Sequence, residues 1–517
     1  MAHRKSLIKN TIHVGGSTLL SRFFGVIREI LNVQFLGAGI YSDAFLTAFK
    51  IPSTLRKAFA EGAISVAFIP TYITVMKNEG KDRANSLMSL AFVMTQSLVL
   101  IICALAMWKA SLVVWLIASG FAPDQIERTA RYLRILMPFI FFISSSALLA
   151  GGLQAVGHFF VPAFAPVLLN IVWIIGLGIA LMFGLSIESF CFFVLLGGLI
   201  QFIAHLVAYF KVGLGFGPIN RHAWRHVSSV MGKFFMCLIA MNEINLFINT
   251  IFASYLPAGS ISLIYYANRF MGIPQGVFVA ALSTILLPYF SRISTYAPKR
   301  MSFYLLESAK LIFWITIPVA MIMGYFSKEI FMIFPSSKIS PAQVIQAGQI
   351  LTIFLAGLFF FALNKIVSNI YYALHVTWIP SVIAMIGTAI NIGLNFFLMR
   401  TYGAQGLAMT LVIAAIVQSI LLITVLRLKF DFKLYALPFL TFLKRYSLQL
   451  LVICSGMLCI YAALYGLIYV SMPQGLAHFL LYKIGYWLWV GPLCLATGWL
   501  IYRTRSYFNV SLYFLDY

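Results

Sequence analysis

Between Ser21 and Glu61 the chain places Arg22, Arg28, Glu29, Asp43, Lys50, Arg56, Lys57 and Glu61 in sequence otherwise apolar enough to span a bilayer. A charged side chain at the bilayer centre costs roughly 2.5–3.5 kcal/mol on insertion scales. In a chain with only 9 % charged residues, such a cluster points to a bundle interior or a water-filled cavity. Its positive bias points to an anion. On one helix Arg22 and Glu29, seven apart, share a face, while Arg28 lies about 120° round. An internal ion pair would use one arginine and leave the other in excess, and guanidinium suits bidentate recognition of phosphate.

Further residues extend the candidate site. Arg269 stands in Tyr265-Tyr266-Ala267-Asn268-Arg269-Phe270 with no acid near it in sequence, which directs it to the same cavity. Asp43, near the far end of its span, is placed to latch onto a cationic partner, with a solvent-facing carboxylate as the alternative. Lys57 and Glu61 are an i,i+4 pair that helix-surface pairing explains as well as function does. Lys365 reads equally as a lysine snorkelling to the interface. Glu243, with Asn391 and Asn395 at i,i+4, offers hard oxygen ligands to a monovalent cation, though buried asparagines also bond neighbouring helices.

The elements that must position these residues are membrane helices. The chain is 62 % hydrophobic over 517 residues, and its apolar runs match a hydrocarbon core of about 30 Å. Segmentation gives about 14 spans, at 11–36, 40–75, 85–117, 129–155, 162–184, 188–211, 228–256, 259–291, 303–334, 344–374, 379–400, 405–427, 446–471 and 477–502. Most Lys and Arg then fall in loops on the side of the N-terminus, and the opposite loops keep little beyond Lys109, Lys328, Lys338 and Arg400. By the positive-inside rule both termini are cytoplasmic.

A weak repeat at about 220 residues pairs Ala38-Gly39, Ile51-Pro52 and Ile69-Pro70 with Ala258-Gly259, Ile273-Pro274 and Leu287-Pro288. Six spans per copy is an even number, so the copies point the same way. The expected architecture is all-α and polytopic: two parallel six-helix lobes, 1–220 and 221–435, around a central cavity, plus a C-terminal helix pair at 436–517. The first two spans of each lobe would line that cavity.

Composition excludes several classes. The net charge of +23 is spread over short loops, with no basic, aromatic-interleaved module for nucleic acid. Six cysteines (Cys103, Cys191, Cys237, Cys454, Cys459, Cys494) sit in apolar runs without metal or disulfide spacing. His222 and His226 lie in a basic loop. No phosphate-binding Gly-rich loop with Lys and Ser/Thr occurs, and no aspartate-rich Mg²⁺ motif. Neither a catalytic residue nor a metal or cofactor is expected.

The run Ser21-Arg22-Phe23-Phe24-Gly25-Val26-Ile27-Arg28-Glu29, followed by Gly37-Ala38-Gly39, Ser42-Asp43-Ala44-Phe45 and Phe59-Ala60-Glu61-Gly62-Ala63, resembles the MurJ (MviN) family of the MOP exporter superfamily. So do Pro162-Ala163-Phe164-Ala165-Pro166 with Leu169-Asn170, Asn249-Thr250-Ile251-Phe252-Ala253-Ser254, and the segment around Arg269. The resemblance implies a lipid II flippase of the bacterial inner membrane, not an enzyme. It would move the undecaprenyl-diphosphate-linked peptidoglycan precursor to the outer leaflet by alternating access, acting as a monomer among membrane lipids. It implies head-group contacts from Arg22, Arg28, Arg56 and Arg269 with Ser21 and Ser262, a gate at Asp43 and Glu61, and a groove for the lipid tail in spans 13 and 14. One departure is Asn268, where the family commonly carries Asp, so a salt bridge through that acid is in question. Coupling to membrane potential or to a monovalent cation are both open.

The alternatives are another MOP-type transporter (an O-antigen-type lipid-linked oligosaccharide flippase or a multidrug/cation antiporter), a membrane enzyme of undecaprenyl-phosphate metabolism, and a non-transporting scaffold. A cation exporter calls for acids in its cavity, and an enzyme of that kind calls for clustered acids to hold Mg²⁺.

Overall fold

The computed structural model describes residues 2–56, 64–220, 224, 244–332, 338–433, 435–482 and 485–516. Their regular structure is helical. Eight helices, or nine if one bent pair counts as a span, are long and apolar enough to cross a membrane among the described residues. The chain is a polytopic helical membrane protein. It divides into two compact units, residues 1–262 and 263–517.

The first unit holds α1 (Ala2–Leu36), α2 (Ile40–Arg56), α3 (Ile64–Asn78), α4 (Lys81–Trp108), α5 (Ala110–Ile117), α6 (Pro123–Leu136), α7 (Phe139–Ala155), α8 (Phe160–Phe183), α9 (Ile187–Lys211) and α10 (Ile244–Ser254). The division falls inside α11 (Ser260–Pro274). Gly37, at φ 68°, ends α1 in the left-handed conformation that glycine adopts without strain. Gly184 closes α8 the same way, and Ser186 then caps α9 by accepting the amide of Ser189 at 3.2 Å. The core of this unit is aromatic. Trp173 packs edge-on to Phe49 at 5.0 Å and to Phe190 at 5.8 Å, and Phe45 lies 5.5 Å from Phe190. These rings link α2 to side chains of α8 and α9, while α2 itself packs along α6 and α7, and α8 along α1.

The second unit continues through a π-helical segment, Gln275–Val279, into α12 (Ala280–Tyr296), α13 (Met301–Tyr325), α14 (Ser327–Met332), α15 (Pro341–Ala356), α16 (Leu358–Ala373), α17 (Trp378–Phe430), α18 (Ala436–Ser471), α19 (Gln474–Tyr482), α20 (Tyr486–Thr504) and α21 (Tyr513–Asp516). Ser340 and Gln343 form a reciprocal capping box at the start of α15, with Pro341 at the first helical position. The core is formed by Phe290, Ile312, Ile366, Ile370, Tyr371 and Leu426, with the Tyr371 hydroxyl donating to the Leu422 carbonyl at 2.7 Å.

Several expected spans are broken where hydropathy gives no sign. The run 85–117 splits at Lys109 into α4 and α5, and 259–291 splits at the π-helical segment. The spans expected at 379–400 and 405–427 are the two arms of α17, separated by a turn at the non-helical Gly403 (φ 57°, ψ −131°). That turn is tight: a Cβ on Gly406 would sit 2.1 Å from the Leu398 carbonyl oxygen. α18 has 36 residues, about 54 Å at 1.5 Å per residue, which is longer than a hydrocarbon core of about 30 Å.

Gly406→Ala should therefore destabilise the protein by about 1–3 kcal/mol through overpacking against backbone, seen as a lower midpoint in detergent thermal unfolding. Gly393→Ala, with open space around its Cβ, should leave the midpoint unchanged or slightly raised.

Candidate functional site

The charged run on α1 meets α8. The Arg28 guanidinium donates through one terminal nitrogen to the Glu29 carboxylate at 2.6 Å and through the other to the Asn170 side-chain carbonyl at 3.0 Å. Its face lies 4.8 Å from the Trp173 ring centroid. The amide nitrogen of Asn170 turns back to α1, donating to the Ser21 carbonyl at 3.2 Å and reaching its hydroxyl at 3.4 Å. Trp173 in turn donates to Asn32 at 3.0 Å, and Asn32 reaches Glu29 at 3.4 Å. Ser21 and Arg28 thus share one bridge, Asn170, spaced three residues before Trp173 so that both face α1 from α8. The indole face and the neutral amide orient the guanidinium, and the Glu29 carboxylate balances its charge. Such a fork can accept a phosphate or carboxylate.

The remaining cations are distributed. Arg22 is exposed on α1 and Arg56 half-buried in the last turn of α2. Arg269, described within the second unit, is exposed on α11 with its guanidinium 4.9 Å from the Tyr265 ring centroid. Lys50 donates to the Thr250 hydroxyl, a contact that no sequence signal pairs in advance. Lys365 is exposed.

A second constellation forms around Asp43, which is 2 % exposed. Its carboxylate accepts the amides of Gly259 at 2.7 Å and Ser262 at 2.8 Å, together with the Ser262 hydroxyl. The Ser262 hydroxyl also lies 2.8 Å from that of Ser42. The expected cationic partner of Asp43 is replaced by the amino end of α11, whose unpaired amides carry partial positive charge. Ser262, expected to face an open cavity, is fully buried in this contact. Ser42 is itself fixed by the Gly39 amide at 2.7 Å, so the Gly37-Ala38-Gly39 turn orients the latch.

Asn391 and Asn395 meet Thr410 across the Gly403 turn. Asn391 donates to the Thr410 hydroxyl at 3.0 Å, that hydroxyl reaches the Asn395 carbonyl at 2.6 Å, and Asn395 donates to Asn391 at 3.3 Å. The arrangement is one of helix-to-helix bonding. Glu61 and Glu243 lie outside the described residues, as do Lys57, His222 and His226. Among the described residues no cluster of three or more His, Cys, Asp or Glu could hold a metal.

Sequence reasoning found the arginines and missed what holds Arg28. In the sequence Asn170 reads as a motif residue, and Trp173 and Asn32 carry no signal. An asparagine and a tryptophan three apart on a helix, with an arginine elsewhere in need of a partner, is a weak signal in isolation.

A family model described as lipid II flippase MurJ matches residues 33–484. A relative from Buchnera aphidicola subsp. Acyrthosiphon pisum (strain APS), described as a probable lipid II flippase MurJ, is 30 % identical over 432 residues, covering 81 % of this chain and 83 % of its own length. A solved structure of a lipid II flippase MurJ in an inward closed conformation aligns with a TM-score of 0.75 and 24 % identity, over 96 % of this chain and 99 % of that one. An inward-facing multidrug resistance MATE transporter of the MOP superfamily aligns at 0.69 and 14 % identity, over 79 % and 94 %. The two structural likenesses speak to fold alone.

Removing the Asp43 carboxylate leaves two buried amides without acceptors, at about 1–3 kcal/mol each. Asp43→Ala should lower the detergent unfolding midpoint by several degrees, whereas Lys365→Ala, on an exposed surface, should not move it.

Proposed function

Because the chain belongs to the lipid II flippase MurJ family, we propose that it carries lipid II across the bacterial inner membrane, from the cytoplasmic to the outer leaflet. It does so as a transporter and not as an enzyme. The observation that carries this reading is the Arg28 guanidinium, held at a membrane helix by an indole face, a neutral amide and a single carboxylate. A diphosphate arriving there replaces Asn170 and Glu29 as acceptors, trading one carboxylate for oxygens of higher charge through charge-assisted hydrogen bonds. Ser21, whose hydroxyl accepts from Asn170, keeps its own proton to donate to the head group.

Arg22 and Arg56 add positive potential in the first lobe, and Arg269 contributes a second guanidinium. Asp43 and Glu61 serve as gates. In this reading the Asp43 contact with residues 259–262 is the closed form of the outer gate, opened when the amino end of α11 withdraws. The polyprenyl tail stays in hydrocarbon throughout, so only the polar head needs shielding. The fold supporting this has about 14 spans with both termini cytoplasmic: lobes at 1–220 and 221–435 that rock about the site, and a helix pair at 436–517 offering a groove to the tail. The transporter works as a monomer without a cofactor. Resetting draws on membrane potential, at about 2.3 kcal/mol per charge moved through 100 mV, or on a monovalent cation at Glu243 with Asn391 and Asn395.

Depleting the protein should make lipid II accumulate on the cytoplasmic leaflet, read by labelling intact and inverted membrane vesicles. Arg28→Ala and Arg269→Ala, at unchanged membrane level, should lower translocation at least about tenfold, the cost of about one charge-assisted hydrogen bond. Arg28→Lys should retain an intermediate rate, since an ammonium keeps the charge without the fork. Accumulation on the outer face, or full activity in Arg269→Ala, would overturn the reading.

A further inference from the structure

Residues 254–262, from the end of α10 into α11, are held at both ends. Asp43 of α2 holds the far end through the Gly259 and Ser262 amides. The near end rests on the corner between α5 and α6. The Gly120 amide donates to the Ser254 hydroxyl oxygen at 2.9 Å, and that hydroxyl gives its own proton to the Ile251 carbonyl at 2.6 Å. Beside this contact, the Tyr255 hydroxyl donates to that of Ser119 at 3.1 Å.

The approach is backbone against backbone. A Cβ on Gly120 would lie 2.7 Å from the carbonyl carbon and oxygen of Ser254 and from the Tyr255 nitrogen. Contacts that short force one chain away from the other. The corner has little room to yield, because it is a closed turn, with the Phe121 amide donating to the Ala118 carbonyl at 3.1 Å and both side chains buried. Both holding points also belong to one frame. α6, which leads out of the corner, packs along α2, and Arg128 of α6 lies 4.4 Å from the ring centroid of Tyr41, two residues before Asp43. α10 has a further tie to α2 in Lys50, which donates to the Thr250 hydroxyl. That tie ends on a flexible four-carbon stem and follows a small shift of α10, whereas main chain seated on main chain does not.

We propose that Gly120 is a positioning residue of the outer gate: the bare seat on which residues 254–262 close, and from which they lift when the gate opens. This deepens the transport reading and rests on it, since that reading takes the Asp43 contact as the closed form of the gate. Two fastenings on one short segment act together, because with either one made the other forms within a single chain. A side chain at position 120 wedges the near end off its seat and leaves the Asp43 contact strained.

Spin labels replacing Asp124 and Ala258, both exposed, read the distance from the α6 corner to the segment, with the full chain in lipid vesicles. Gly120→Ala should raise the population of the longer distance at least about fivefold. Ser254→Ala, which removes the acceptor and adds no bulk, should raise it less. Gly178→Ala, with open space around its Cβ, should leave it unchanged. Outward movement of lipid II by Gly120→Ala, at normal membrane level, should fall at least about fivefold, because a gate that closes poorly delays the return to the inward-facing form. In a second arm, Ser119→Cys and Tyr255→Cys are combined and joined by a short reducible cross-linker. Transport should stop until the link is reduced, while the unaltered protein given the same reagent keeps its rate.

Normal transport by the cross-linked protein means that the seat never opens, and an unchanged distance in Gly120→Ala means that it tolerates a side chain. Either result overturns the proposal and leaves the flippase reading standing on the unaltered protein's activity. An unaltered protein that moves no lipid II overturns that reading instead, and the distances still decide whether Gly120 seats the segment. If Gly120→Ala fails to accumulate, Ser254→Ala and the cross-linked pair decide.

Discussion

Hydrocarbon offers no hydrogen bonds, so each polar group held within a membrane helix must find its partner inside the protein. The arrangement of the ionisable residues follows from that constraint. Arg28 is surrounded by an amide, a carboxylate and an indole face, the last a partner that accepts positive charge without carrying a negative one. Asp43 is answered by two main-chain amides and a hydroxyl. Glu307 uses both oxygens, one on Lys310 and one on the Tyr513 amide. The three sites differ in how firmly the charge is compensated. Glu307 and Arg28 each face a full opposite charge on their own helix, whereas Asp43 meets only dipoles.

Breaks in the helices serve the same constraint. The Gly37-Ala38-Gly39 turn lets α1 stop and α2 begin within three residues, and its last amide and carbonyl both engage Ser42, the neighbour of Asp43. Pro52 sits inside α2, and Pro274 ends α11 just before the π-helical segment. Each proline removes a backbone donor and frees a carbonyl. In a membrane such backbone irregularity is tolerated where it is buried in protein or lines a cavity. These prolines were legible as pairs in the internal repeat, but the π-helical turn was not, because an inserted residue leaves no mark on composition.

The class of fold was legible because about 20 apolar residues in a row have few alternatives to a membrane helix. The candidate cations are legible for the converse reason: Arg22, Arg28, Arg56 and Arg269 stand out against that background. Their partners were hidden. Asn170 lies 142 residues from Arg28, and an asparagine in an apolar run reads the same whether it bonds a neighbouring helix or a ligand. Asp43 was expected to seek a cation, since side chains are what a sequence displays, whereas the groups it meets are main-chain amides. Hydropathy also separated the two arms of α17, and the break between them falls on a single glycine of positive φ.

The Asp43 contact has an evolutionary consequence. Of its two halves, the one on α2 is a side chain that a single substitution can delete, whereas the receiving half is mostly main chain. The amide of residue 262 is present whatever amino acid other than proline stands there, whereas Gly259, at φ 94°, holds a backbone conformation that favours glycine, and the Ser262 hydroxyl depends on residue identity. Drift is therefore limited at Asp43 by its carboxylate and at Gly259 by its backbone conformation, while the amide of residue 262 survives most substitutions. A latch built from a salt bridge would need two residues to change in concert, and this one escapes that requirement.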